Sequence, residues 1–130
     1  MREILFRGKG NKKYNDGDWY YGVPIQDREG DWQICNGFLN RTVLPETIGE
    51  FTGLTDQNGR KIFEGDILKY INGDDEPHYI TVVFDECAFL IDDQGIMDCF
   101  LLTSYTFLGL EVVGNVFDNP ELLIGGENNG

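Results

Sequence analysis

Apolar and polar residues alternate along most of this chain, and the alternation is broken again and again by glycine, asparagine or aspartate. The opening MREILFRGKGNKKY sets Ile4 and Phe6 on one side, with Arg2, Glu3, Leu5 and Arg7 around them. It then runs into a basic, glycine-rich turn and predicts a first strand near Glu3 to Arg7. In GDWYYGVPIQDREGDWQIC, the residues Trp19, Tyr21, Val23 and Ile25 share one parity. Asp27-Arg28-Glu29-Gly30 turns the chain, and Trp32 and Ile34 return, which predicts a hairpin whose apolar parity faces a core. Pro45, Glu46 and Thr47 suit a short helical turn, because proline fits a first turn and an early acid complements the helix dipole; Gly49 would stop it.

The stretch FTGLTDQNGRKIFEGDIL, Phe51 to Leu68, is the most patterned in the chain. Asn58-Gly59 favours a tight turn with positive φ. Neither parity is cleanly apolar through Glu64-Gly65-Asp66, so a bulge or sharp bend is expected at Gly65 rather than a straight strand. Gly53, Gly59 and Gly65 are expected to serve the backbone, and Asp66 to bond neighbouring amides at the bend. YITVVF, Tyr79 to Phe84, is β-branched and aromatic throughout and predicts a strand. Further strands are expected at Cys87 to Ile91, Ile96 to Phe100 and Leu110 to Val116, and a disordered polar tail over 125–130. Short strands bending at glycines predict a mainly β fold. Its expected form is a small bent-strand, SH3-like barrel over 51–124 with an intertwined N-terminal β part over 1–50, and at most one or two short helical turns.

Composition fits that picture. The chain has 130 residues, 41% hydrophobic, with 17 glycines, enough apolar surface to close one domain core. Charge changes it. Residues 1–60 carry nine acids against eight bases, whereas 61–130 carry fourteen acids against Lys61 and Lys69. A half so acidic repels phosphate backbones, which argues against nucleic-acid binding through it. Cys35, Cys87 and Cys99 are odd in number and widely spaced. With no leading apolar segment, they imply a reduced, cytoplasmic protein, and no apolar run approaches the length of a membrane span.

Candidate chemistry is sparse. An EF-hand register through Asp56, Asn58 and Gly59 puts Leu54 and Gly65 at positions that need oxygen ligands, so calcium is not expected. Asp74-Asp75-Glu76 and His78 place three carboxylates near the only histidine, the one arrangement from which a metal-dependent enzyme could be argued. Ser104 is the sole serine and lies in no nucleophile motif, while Cys87 and Cys99 flank apolar residues and read as small buried hydrophobes. Trp19, Tyr20, Tyr21 and Trp32, with Arg2, Arg7, Lys9, Lys12 and Lys13, outline a single-strand-binding patch, opposed by the acidic half. Asp74, Asp75, Glu76, Asp85, Glu86, Asp92, Asp93 and Asp98 form a candidate acidic interaction surface. Set in one stripe, they would mimic DNA toward a host nucleic-acid enzyme. No catalytic residue, cofactor or metal ligand set is expected.

Four blocks carry a resemblance: MREILFRGK (1–9), DWYYG (18–22), LPETIGEFTGLTDQNGRKIFEGDIL (44–68) and LEVVGNVFDNPELL (110–123). In this order they resemble the YopX-type proteins encoded by bacteriophages and prophages of bacteria. The resemblance implies one such domain over 1–124, a mainly β fold with a barrel-like part, a phage or prophage setting in a bacterial cytoplasm, and no established activity. Residues 72–106 lie outside the blocks. The expectation is therefore a non-enzymatic accessory protein that binds another protein or itself, with exposed strand edges as the pairing surface.

Overall fold

The computed structural model describes residues 3–71, 76–85, 88–93, 96–101 and 110–123, with the strands from 85 to 101 taken by backbone and register. Among the described residues the fold is mainly β, with two antiparallel sheets, one 3-10 turn at Pro45–Thr47 and a helical turn at 121–123. The chain divides into two compact units, Met1–Gly53 and Leu54–Gly130.

The first unit holds β1 (Phe6–Lys9), β2 (Trp19–Gln26), β3 (Trp32–Cys35), β4 (Asn40–Thr42) and the start of β5 (Gly49–Thr55). Their order is β4-β3-β2-β1-β5. The β2–β3 hairpin closes through Asp27 N to Asp31 O at 2.9 Å, with Gly30 at φ 91°. β1 starts later than alternation alone predicts, at Phe6, because its ladder partners run from Gly22 back to Trp19. The buried centre is Ile34 and Val43, each 1% exposed. Gly8 admits Val43, since a Cβ there would lie 3.0 Å from its methyl. Thr47 is buried and ties the 3-10 turn to β1, accepting from Lys9 N at 2.8 Å and donating to Leu44 O at 2.6 Å.

In β2 the structure corrects the expectation from alternation. Trp19 is half-buried, but Tyr21, Val23 and Ile25 are 48%, 53% and 37% exposed, while Tyr20, Gly22 and Pro24 on the other parity are half-buried. Ile34 pairs with Pro24, so the packed face is the one bearing the glycines, where backbones approach closely.

The second unit continues β5 past Gly53 into a hairpin with β6 (Lys61–Phe63). It then adds β7 (Asp66–Ile71), β8 (Pro77–Asp85), β9 (Ala88–Asp93), β10 (Ile96–Leu101) and β11 (Glu111–Asn115), in the sheet order β10-β9-β8-β7-β11. The order is open. Among the described residues no pairing joins β10 to β11, so the sheet is bent but not closed into a barrel. Closure is a long-range property that glycine bends and strand count do not determine. Ile62, Leu68, Tyr70, Ile80, Val82, Leu110 and Val112 form the core, with Leu54 packed on it. The register Leu68↔Ile80 and Tyr70↔His78 sets Leu68, Tyr70, Ile80 and Val82 on one face, as period-2 alternation requires.

The bend at Gly65 (φ 90°) is fixed on both sides: Gly65 N donates to Val82 O at 2.8 Å, and its carbonyl accepts from Val116 N at 2.9 Å. Positive φ of this kind strains any residue with a Cβ. The tail at 125–130 lies outside the described residues.

Candidate interaction site

The patterned loop resolves into two carboxylates with main-chain partners. Gly53 and Gly59 have φ of 89° and 82°. Asp66 is 1% exposed and its Oδ2 accepts from Phe63 N at 2.7 Å, bridging the end of β6 to the start of β7. Asp56, which the sequence offered only as a position in a rejected calcium loop, does more. Its Oδ1 accepts from Asn58 N at 2.8 Å and Arg60 N at 2.9 Å, and its Oδ2 accepts from Val112 N at 2.9 Å. Gln57 N donates to Leu110 O at 3.0 Å, and the Arg60 guanidinium donates to Val112 O at 3.4 Å.

The turn after β5 therefore lies along β11 and takes up the N–H and C=O groups of that edge strand. Covering an edge in this way is a standard protection against unwanted pairing. Burial pushes the Asp56 carboxyl upward, but the amides of Val112, Arg60 and Asn58 and the Arg60 charge outweigh it, and the group sits below the usual carboxylate range. Both oxygens face N–H donors, so the loop is built to hold an anion of its own rather than a cation. The signal in the sequence was Asp56-Gln57-Asn58-Gly59-Arg60, the pattern of an aspartate folding over its own turn.

Of the eight acidic candidates, the strand register places four. Asp74, Asp75 and Glu86 lie outside the described residues, and Glu76 is exposed. Asp92 pairs with Thr81 and so shares the parity of Asp85, whereas Asp98 pairs with Ile91 and shares the parity of Asp93. These four positions fall two on each face of the ladder. Near the proposed metal loop, His78 stacks on its cross-strand partner Tyr70, ring centroids 5.1 Å apart. Among the described residues no group of three His, Cys, Asp or Glu is placed to hold a metal ion. Ser104 and Cys87 lie outside the described residues, and Cys35 is a half-buried free thiol.

The aromatic and basic residues of the first unit are arranged in pairs. The Arg7 guanidinium lies 4.7 Å from the Trp19 ring centre, and that of Arg41 lies 5.6 Å from Tyr20. The Tyr20 hydroxyl donates to Asp16 Oδ1. That bond, reinforced by the Asp18 amide, lowers the Asp16 carboxyl, and the same carboxylate raises the Tyr20 phenol above its ordinary value. Trp19 and Tyr20 thus already have cationic partners within the chain. Tyr21, Val23 and Ile25 form one row of exposed side chains on one face of β2, and Phe38 and Leu39 are exposed in the β3–β4 turn. A row of adjacent apolar side chains facing water is the feature that marks interaction surfaces.

No helix among the described residues is long and apolar enough to cross a membrane. No curated protein matches the chain. Among solved structures it is similar to protein EF1440 from Enterococcus faecalis, with 21% identity and a TM-score of 0.61 over 95% of this chain and 99% of that one. At that identity the likeness is one of fold. The YopX protein model matches residues 5–124, which take in both units and the loop that closes the β11 edge, and the chain belongs to the YopX protein family.

Proposed function

We propose that this protein is a non-enzymatic phage or prophage accessory module, acting in a bacterial cytoplasm by binding protein through the outward face of β2. One observation carries the reading: the apolar parity of β2, Tyr21, Val23 and Ile25, is the exposed one. Leaving such a row in water forfeits about 25 cal/mol for each Å² of apolar surface that a partner would cover. Aromatic and branched side chains on a rigid strand lose little conformational freedom on docking. In this reading the second unit, a bent sheet of SH3-like curl, is the scaffold. DNA mimicry draws no support from the ladder, which divides Asp85 and Asp92 from Asp93 and Asp98.

The test is site-specific photo-cross-linking in bacterial cells that express the protein. A photoreactive residue at position 23 is expected to capture protein, and one at the exposed polar position 57, in a turn of the second unit, to capture none. Equal capture at both positions, or none at position 23, removes the reading.

A further inference from the structure

The outward row of β2 has a distribution of charge around it that selects a partner. β2 is entered from the β1–β2 loop, and this end of the hairpin carries Lys9, Lys12 and Lys13 against Asp16 and Asp18. β2 leaves into the β2–β3 turn, which carries Asp27, Glu29 and Asp31 against Arg28. One end is net positive by one and the other net negative by two. Val23 lies between them: at about 3.3 Å per residue, Asp27 is roughly 13 Å along the strand in one direction and Asp18 roughly 17 Å in the other. The long-range field of the molecule also favours this unit, because residues 1–53 carry eight acids and seven bases, whereas 54–130 carry fifteen acids and three bases. Like-charge repulsion between two copies is weakest where the first units meet.

We infer that the occupant of this face is a second copy of the same chain, packed face to face about a two-fold axis at Val23. The inference rests on the reading of β2 as the binding face. A two-fold axis makes the contact isologous, so every residue meets the partner's counterpart across the axis. Running the strands antiparallel lays Tyr21 of one copy on Ile25 of the other and Val23 on Val23. It also sets the basic loop of each copy beside the acidic turn of its partner. Sheets stacked this way lie about 10 Å apart and within about 30° of alignment. A parallel arrangement would put like charges together at both ends, and charge complementarity of this kind fixes orientation more than it adds affinity. Lys12, Lys13 and Glu29 are exposed and Asp27 is half-buried at the surface turn, so all four are placed to meet a partner.

Sedimentation velocity on the purified chain tests the proposal, with melting temperature as the check that each variant is folded. The wild type is expected to dimerise, and the dimer to weaken as salt rises, because exposed charges are screened. Val23→Asp is expected to weaken dimerisation at least about 100-fold, by placing two carboxylates on the axis. The double change Lys12→Glu, Lys13→Glu is expected to weaken it about 10-fold, and adding Asp27→Lys and Glu29→Lys to restore it to within about 3-fold of wild type, since the swap rebuilds both ends. A dimer indifferent to Val23→Asp, or charge-reversed chains that do not recover, overturns the two-fold arrangement. A wild type that stays monomeric overturns self-association. If position 23 still captures a different protein in cells, the face remains a binding site; if it captures nothing, both readings fall.

Discussion

Replacing Asp56 by alanine removes one carboxylate and three hydrogen bonds at once. The group is 7% exposed and accepts from Asn58 N, Arg60 N and Val112 N at 2.8, 2.9 and 2.9 Å. The three losses are unequal. Asn58 and Arg60 lie in an exposed turn, so water replaces their acceptor and each loss costs about 0.5–1 kcal/mol. Val112 belongs to the core cluster and its amide is screened by the turn, so leaving it unbonded costs about 1–3 kcal/mol. The expected destabilisation is therefore about 2–5 kcal/mol, or a melting temperature lower by very roughly 10–20 °C for a chain of this size. Asp56→Asn keeps one carbonyl oxygen but turns a donor toward a donor at the other position, and should fall between alanine and wild type.

The sign of the pH dependence follows from the lowered carboxyl. A group whose folded pKa lies below its unfolded value contributes stability that is fully present above the unfolded value, near 3.8 here, and is lost as pH falls through the folded one. The stability difference between wild type and Asp56→Asn should be constant from pH 7 to about pH 5 and shrink below about pH 4. Denaturant unfolding at several pH values measures that difference, and hydrogen exchange at the Val112 amide reports the local bond directly. A destabilisation under about 1 kcal/mol for Asp56→Ala, with Val112 protection unchanged, would refute the edge-closing role.

Three further outcomes are expected. Gly22→Ala should be severely destabilising, by about 3 kcal/mol or more, because a Cβ there would lie 2.1 Å from the Cys35 carbonyl oxygen and cannot fit without parting β2 from β3; an alanine chain with the wild-type melting temperature would refute this. Asp16→Asn should bring the Tyr20 phenol down toward its ordinary value, since the carboxylate is the main cause of its rise; ultraviolet titration against a Tyr20→Phe background identifies the group, and an unchanged titration would refute the pairing. Ile62→Ala should cost about 2–5 kcal/mol by chemical denaturation, because the side chain is fully buried in the second unit's core; a loss under about 1 kcal/mol would mean that the site collapses around the smaller residue.

Most of the strands could be read from the sequence because their causes are local. Asn58-Gly59 turns where it should, the Asp27–Gly30 turn closes the hairpin it predicts, and the β-branched run from Tyr79 becomes β8, flanked by one or two more residues at each end. Pro45 starts a 3-10 turn that Ile48 ends in extended conformation, one residue before Gly49. What the sequence left out is set by partners far along the chain. Asp56 and Val112 are 56 positions apart, and nothing near Asp56 announces that an edge strand will lie against it. The open sheet is of the same kind: local bends specify curl, while closure depends on which edges meet.

The inverted face of β2 shows how the rule itself fails. Alternation assigns a core by hydrophobicity, and on that count Trp19, Tyr21, Val23 and Ile25 outrank Tyr20, Gly22 and Pro24. Yet the packed face of a sheet is selected by fit as well as by transfer free energy. Gly22 lets the Cys35 carbonyl approach to a distance that any Cβ would block, and Gly8 lets Val43 pack where a Cβ would be tightly crowded. A Tyr or Val in those places would hold the layers apart and open voids around Ile34. The glycines thus fix the orientation of β2, and the apolar parity is turned to water as a consequence. A strand written with glycines on one side and large apolar residues on the other is therefore ambiguous by pattern, and when the glycine side is the packed one, the apolar side is left facing water. That is why the residues most readily taken for core in this sequence are the ones on which the proposed binding role rests.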